Sequence, residues 1–259
     1  MQLATWNVNS LKVRLPHLLD WLAQHQADIV CLQETKLTDD KFPVAELRAA
    51  GYRSHFSGQK TYNGVAVLLR EASTPPGADV QIGIPGFEDE QKRVLSVTVG
   101  ELRVVCTYFP NGQAVGTDKY AYKLRWRGAL RDWLRGELAA RPQLALLGDY
   151  NIAPDDRDVH DPAAWKEQVL FSEPEKHAFR ELVALGLTDS FRLFEQPERS
   201  YTWWDYRMLA FRRKMGLRID HILLSAPLVP RCTACTIDIE PRKREQPSDH
   251  APVIATLAD

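Results

Sequence analysis

The chain has 259 residues, is 44% hydrophobic, and carries 33 Lys and Arg against 34 Asp and Glu. It is long enough to bury one large core, and its near-neutral balance excludes a uniformly basic nucleic-acid coat. Four cysteines, at 31, 106, 232 and 235, exclude a disulfide framework in a chain of this size, and no stretch approaches the roughly 20 apolar residues of a membrane span or reads as a leader. A cytoplasmic protein is expected. With no linker or composition break, residues 1–259 read as a single domain.

In chain order, Leu3 to Val8 alternate as a strand that ends on Asn7 and Asn9. Leu15, Leu18, Leu19 and Leu22 recur at helical spacing and predict a helix over Leu15 to Gln26, with Pro16 in its first turn. Asp28 to Leu32 is an apolar strand that delivers Glu34. A short helical piece over Val44 to Ala50 precedes an extended segment at Tyr52 to Phe56. The turn Asn63-Gly64 leads into a strand at Val65 to Leu69.

Ser73 to Glu90, rich in Pro, Gly and acids, reads as an exposed connection. Two strands, Arg93 to Val99 and Leu102 to Tyr108, then flank the two-residue turn Gly100-Glu101, and the second ends in TYFPNG. Lys119 to Ala140 is the longest helical pattern. Leu130 and Leu134 lie on its inner face, while Lys123, Arg127, Arg131 and Arg135 form a stripe that reads as solvated.

Gln143 to Leu147 is a buried strand followed at once by GDYNIAP, which puts Asp149 and Asn151 on one side if the chain stays extended. Pro174 to Leu185 is a helix closed by Gly186. Between Arg199 and Arg218 six bases face one acid, Asp205, with Tyr201, Trp203, Trp204, Tyr206 and Phe211 interleaved, a pattern suited to a nucleic-acid surface. Arg218 to Leu224 is a strand with Asp220 among apolar neighbours, where an ionised carboxylate needs a partner. Cys232 to Glu240 is a strand, Arg242 to Glu245 a charged turn, and PSDHAPVIATL ends the pattern. The CxxC pair Cys232 and Cys235 lacks the further ligands of a zinc site.

Asn7, Glu34, Tyr108, Asp149, Asn151, Asp220, Asp249 and His250 thus all fall at strand ends or just beyond. Several strands with a few helices between them suggest two sheets packed face to face, helices outside, and loops gathered at one edge. Carboxylates and an imidazole favour a hard, oxygen-loving cation such as magnesium or manganese. Such an ion serves phosphoryl transfer while another carboxylate takes a proton from water.

The segments WNVNSLK, LQETK, YFPNG, GDYNIAP, SYTWWDYR, GLRIDHIL and PSDHAPV, in this order and across nearly the whole chain, resemble the signatures of the exonuclease III family of abasic-site endonucleases, within the endonuclease/exonuclease/phosphatase superfamily. The resemblance implies a four-layered α/β sandwich. It implies a monomeric, metal-dependent phosphodiesterase acting on duplex DNA at abasic sites and blocked 3' ends. It makes Glu34 the principal metal ligand, with Asn7 and Asp249 at or near one ion or two. Asp149 would orient or deprotonate water and Asn151 would position both, while Tyr108 would bond the phosphate or act as a phenolate. Whether Asp149 or Tyr108 is the activating group stays open. His250 would donate to a phosphate oxygen with Asp220 fixing its tautomer.

By the same resemblance Trp203, Leu217 and Ile219 line a pocket for the base-free sugar, and Asn111 and Gln113 lie near the DNA backbone or the gap. Two residues depart from the family pattern: Tyr150, where Met or Phe is frequent, and His221, where an apolar residue is. No long extension precedes the first strand, so a redox or partner-binding tail is not expected.

Overall fold

Alternation within single strands sets the layering. In the strand Leu144–Asp149, Leu144 and Leu146 pack against helices, with Trp126, Leu130 and Phe179 around them, whereas Ala145 and Leu147 face the opposite sheet beside Cys106 and Ile222. Ile29–Gln33 divides in the same way: Ile29 and Cys31 point between the sheets, and Val30 and Leu32 point at Leu18 and Trp21 of a helix. Strands apolar on both faces need cover on both, and this is why the sequence makes a sandwich four layers deep.

The computed structural model describes residues 1–258. Its elements are β1 (Gln2–Asn7), α1 (Leu11–His25), β2 (Ile29–Gln33), α2 (Val44–Ala49), β3 (Tyr52–Ser57), β4 (Val65–Arg70), β5 (Asp79–Ile82), β6 (Val94–Val99), β7 (Leu102–Tyr108), α3 (Asp118–Ala140), β8 (Leu144–Asp149), α4 (Pro162–Trp165), α5 (Glu173–Ala184), β9 (Leu187–Asp189), β10 (Asp220–Ser225), β11 (Cys232–Ile237) and β12 (Val253–Leu257), with short 3-10 turns between. One sheet runs β11-β12-β1-β2-β4-β3 and the other β5-β6-β7-β8-β10-β9.

Both sheets are mixed. β1 runs parallel to β2, and β7 parallel to β8, so Asn7, Glu34, Tyr108 and Asp149 all arrive at C-terminal strand ends. β10 is antiparallel to β8 with Asp220 opposite Asp149, and β12 is antiparallel to β1. The start of β10 and the loop before β12 therefore lie at that same edge. Gly148 permits the closeness of β7 and β8: a Cβ there would sit 1.8 Å from the Thr107 carbonyl oxygen. Asn63 and Gly64 both take positive φ, as the predicted turn requires.

Several expectations are corrected. Helix α1 begins at Leu11, four residues early, because the Leu11 N–H is taken by the Thr35 carbonyl (3.0 Å) and its side chain is buried, which moves Pro16 into the second turn. The connection from Ser73 to Glu90 contains the short edge strand β5, whose side chains are mostly exposed and so leave no apolar alternation to detect. The basic stripe of α3 is not uniformly solvated, since Lys123 and Arg127 are buried while Arg135 is exposed. Of the basic aromatic segment, Arg199, Arg207, Arg212, Arg213 and Lys214 are exposed, but Tyr201, Trp204 and Arg218 are internal. Arg242 is also buried, donating to the Ser248 carbonyl (2.5 Å) with its guanidinium 5.0 Å from the Phe211 ring centroid.

Arg218 joins Asp158 (2.6 and 3.2 Å) and Asp189 (2.8 Å), and also donates to the His221 Nδ1 (3.0 Å). One guanidinium, satisfied by two carboxylates and an imidazole nitrogen, holds the loop before β10 against β9 and the segment after β8. Replacing Arg218 with Met leaves buried Asp189 without its cation and Asp158 with Arg192 alone, and we expect a loss of about 3–5 kcal/mol in guanidinium unfolding. A loss within about 0.5 kcal/mol, the range of ordinary surface changes, would contradict this account.

Candidate active site

The amide of Asn7 is the first link between the sheets at the shared edge. Its Nδ2 donates to Glu34 Oε1 (2.8 Å) at the end of β2 and to Asp149 Oδ2 (2.9 Å) at the end of β8. Its Oδ1 accepts from the Asn9 N–H (2.9 Å). Glu34 and Asn151 both take left-handed backbone, φ 52 and 49, a conformation costing on the order of 1–3 kcal/mol away from glycine. It bends the chain sharply past the strand ends. As a result the Asn151 N–H turns back onto Asp149 Oδ1 (2.8 Å), and its Nδ2 reaches the Phe109 carbonyl (3.0 Å).

From the other side comes the loop before β12. His250 Nδ1 lies 2.9 Å from Asp220 Oδ2, and its Nε2 lies 3.7 Å from Asp149 Oδ2. Burial alone would lower the His250 pKa, but the carboxylates of Asp220 and Asp149 outweigh it and raise it to about 10. Asp149 moves up to about 7 because burial and the Asp220 charge together exceed the pull of His250 and its hydrogen bonds. Burial also acts to raise Glu34, yet Lys36 (2.9 Å from Oε2) and the Asn7 amide bring it below its ordinary value. The Tyr108 phenol is pushed well up by burial and by the charges of Glu34 and Asp149, so it remains protonated at neutral pH.

Glu34, Asp149 and His250 each offer a ligand atom within 4.8 Å of the others. The carboxylates of Glu34 and Asp149, facing a shared space, fit a hard metal ion by their chemistry, while His250, as an imidazolium, has no lone pair to offer it. Asp249 is not brought into that group. Its oxygens accept from Asn9 Nδ2 (2.9 Å) and Trp203 Nε1 (3.0 Å), which ties it to the two flanking loops.

The expected sugar pocket is differently disposed. Leu217 and Ile219 are 0% and 1% exposed, packed with Val159, Leu170 and Phe171, and only Trp203 among the three reaches the surface. Asn111 and Gln113 are exposed beside a groove of about 800 Å³ that Tyr108, Tyr62, Arg93 and Lys119 also line. Asn111 Nδ2 reaches Asn151 Oδ1 (3.0 Å), which joins that groove to the centre. The two departures noted in the sequence, Tyr150 and His221, touch each other with ring centroids 5.0 Å apart under the β8–β10 pair.

Sequence reasoning missed several supports. Asn9 lay in a motif but was assigned no task. Thr202 Oγ1 accepts from the N–H groups of Ile219 and Asp220 (both 3.0 Å), and Arg14 donates to the carbonyls of Asn9 and Pro247 (2.6 and 2.9 Å). A polar residue such as Thr202, whose side chain serves main-chain atoms, has no spacing signal. Met208 and Leu209, 73% and 63% exposed, stand at the tip of the basic loop. Two large apolar residues inside a run of bases were the available cue.

The chain belongs to the endonuclease/exonuclease/phosphatase family, whose pattern matches residues 4–250. Within that class it is a DNA repair nuclease, a hydrolase. It is 34% identical to exodeoxyribonuclease III of Haemophilus influenzae, over 98% of this chain and 99% of the relative. It is 32% identical to the DNA repair nuclease APEX1 of Danio rerio, over 100% of this chain and 82% of that protein. Among solved structures, a 3' phosphatase, NExo, from Neisseria bound to a product DNA hairpin superposes with a TM-score of 0.96 at 46% identity, covering 100% of both chains. An AP endonuclease from Archaeoglobus fulgidus gives 0.94 at 38% identity, covering 99% of both. The family is metal-dependent. Among the described residues no helix is long and apolar enough to cross a membrane.

The charge state of His250 is testable. Its folded pKa lies above the unfolded value, so the imidazolium contributes to stability fully below about pH 6.5. That contribution disappears as pH rises towards about 10. Asp220→Asn removes the nearer carboxylate, and NMR titration of the His250 ring should then move down towards neutral pH. An unmoved titration would mean that Asp220 does not set this charge.

Proposed function

We propose that this protein hydrolyses the phosphodiester on the 5' side of abasic sites in duplex DNA and, by the same attack of water, removes phosphates and other blocking groups from 3' ends, with 3'-5' exonuclease action on normal ends. The observation that carries this is the buried Asp149 held between the Asn7 amide and the His250 imidazolium, with Glu34 bonded to the same Asn7. We read residues 1–259 as one catalytic domain, working as a monomer in the cytoplasm at the nucleoid.

Glu34, with Asn7 beside it, would hold magnesium or manganese. Bound there, the ion supplies positive charge against the phosphate and the departing oxygen. Asp149, whose carboxyl burial and the Asp220 charge push up from its ordinary value, is placed to take a proton from the attacking water, and the Asn151 N–H fixes which of its oxygens faces it. Tyr108, protonated, donates to a phosphate oxygen, so of the two candidates Asp149 is the base. His250, kept cationic by Asp220, donates to another phosphate oxygen from Nε2, and such donors need no reorganisation as charge develops. Asp249 serves by fixing the Asn9 and Trp203 loops around these groups.

A second reading has its own support. Leu217 and Ile219 are fully buried rather than facing solvent, and the relative at 46% identity is a 3' phosphatase. On this reading 3'-phosphate removal outpaces abasic incision. Duplexes carrying a tetrahydrofuran residue, a 3' phosphate or no lesion, assayed side by side with magnesium and then EDTA, decide between them. We expect cleavage with the metal and none with the chelator, and His250→Asn should reduce it by about 10²–10³-fold. Activity untouched by EDTA, or by Glu34→Ala, would remove the proposed centre.

The exposed Met208 and Leu209, at φ 59 and 53 beside Arg207, Arg212, Arg213 and Lys214, would press against the duplex as an apolar wedge. Replacing both with Ser should weaken duplex binding by about tenfold, on the scale of a few lost apolar contacts, without lowering the unfolding temperature. Unchanged affinity would place DNA elsewhere.

A further inference from the structure

Lys123 has no solvent exposure, and the reaction outlined above makes no use of it. It lies on α3, and its Nζ donates to the carbonyl of Asn111 (3.1 Å), to the carbonyl of Asn151 (2.8 Å) and to Glu175. An ammonium has three N–H groups, and here all three are used. Glu175 is itself anchored: it accepts from the N–H groups of Leu170 and Ser172 (both 3.1 Å), and Ser172 Oγ lies 2.6 Å from the Tyr120 hydroxyl of α3. The ion pair is thus a fixed strut between α3 and the start of α5, and its cation points out of that strut at two main-chain carbonyls.

Those carbonyls belong to two site residues. Asn111 and Asn151 are already joined through their side chains, and Asn151 is in the left-handed conformation that turns its N–H onto Asp149. A carbonyl bound to a buried ammonium resists rotation of its peptide, because rotation would strand both partners away from water. The aliphatic stem of Lys123 also lies under the loop, with Cδ 3.1 Å from where a Cβ on Gly112 would be.

We infer that Lys123 is a positioning residue for the nuclease reaction, its ammonium fixing the main chain of Asn111 and Asn151 and, through the Asn151 N–H, the orientation of the Asp149 carboxylate. The catalytic part of this rests on the role proposed above for Asp149.

Two variants separate positioning from support of the fold. Lys123→Met leaves Glu175 buried without its cation and should lower the unfolding temperature. Lys123→Met combined with Glu175→Gln removes both charges and should recover much of that temperature, since neutral replacement of a buried pair is often tolerated. In both variants we expect single-turnover cleavage of the duplex that the unaltered protein cuts fastest to fall by about 30–100-fold, with DNA affinity kept within about threefold. Hydrogen exchange of the Asn151 amide in metal-free protein should quicken by about tenfold or more in both, because its bond to Asp149 is loosened. Cleavage that returns together with thermal stability in the double variant would overturn the inference, as would unchanged exchange at Asn151. Should the unaltered protein cut none of the duplexes, the role given to Asp149 fails, and the exchange measurement still decides whether Lys123 holds this segment.

Discussion

One side-chain amide holds the two halves of the sandwich in chemical register. The two N–H groups of Asn7 reach carboxylates from different sheets, Glu34 and Asp149, at 2.8 and 2.9 Å. A single Nδ2 can do this only if β1 and β8 end at the same height across the core. The parallel pairs β1–β2 and β7–β8 meet that condition, and the close strand approach permitted at Gly148 preserves it. The large apolar layer between the sheets supplies the cohesion, but the amide defines where the charges meet.

Around that amide the electrostatics are organised by contrast. Asp149 and Asp220 face each other across a strand pair, and both are buried, an arrangement that would repel without the imidazolium between them. His250 therefore has to be charged for Asp149 to lose its proton, and Asp149 rises only to about 7. Glu34, at the other side of Asn7, is brought below its ordinary value with Lys36 as its partner. Two carboxylates a few ångströms apart thus have opposite tendencies, which is the condition for one to hold a cation and the other to accept a proton.

Much of this could be read from the chain alone because the site sits where strands stop. An apolar run ending in a polar residue is visible in sequence, so the placing of Glu34, Tyr108, Asp149 and Asp220 at strand ends needed no coordinates. Asp249 shows the limit: its place beside the motif was legible, but its bonds to Asn9 and Trp203 depend on loop geometry. Lys123 and Arg218 show another. A lysine on a helical stripe with Arg127, Arg131 and Arg135 looks solvated, and only the packing of α5 against α3 reveals that Lys123 and Arg127 turn inward. β5 was missed because both of its faces are largely exposed. Leu217 and Ile219 were recognised as belonging to the pocket region, but whether such residues line a space or fill it depends on their partners, here Leu170 and Phe171, from a segment without a periodic pattern.

The placement of β12 between β1 and β11 has a temporal consequence. The carboxylates of Glu34 and Asp149 emerge from the ribosome long before Asp220 and His250 do. The first strand meanwhile lacks the neighbour that covers one of its edges, and the Trp6 indole N–H lacks the His250 carbonyl it will meet at 3.2 Å. The loop that carries His250 to Asp220 is thus set in place only when β12 has paired with β1. The parts of this edge that come latest in the chain are therefore the ones that close it, and its geometry is fixed by the pairing of β12 rather than before it.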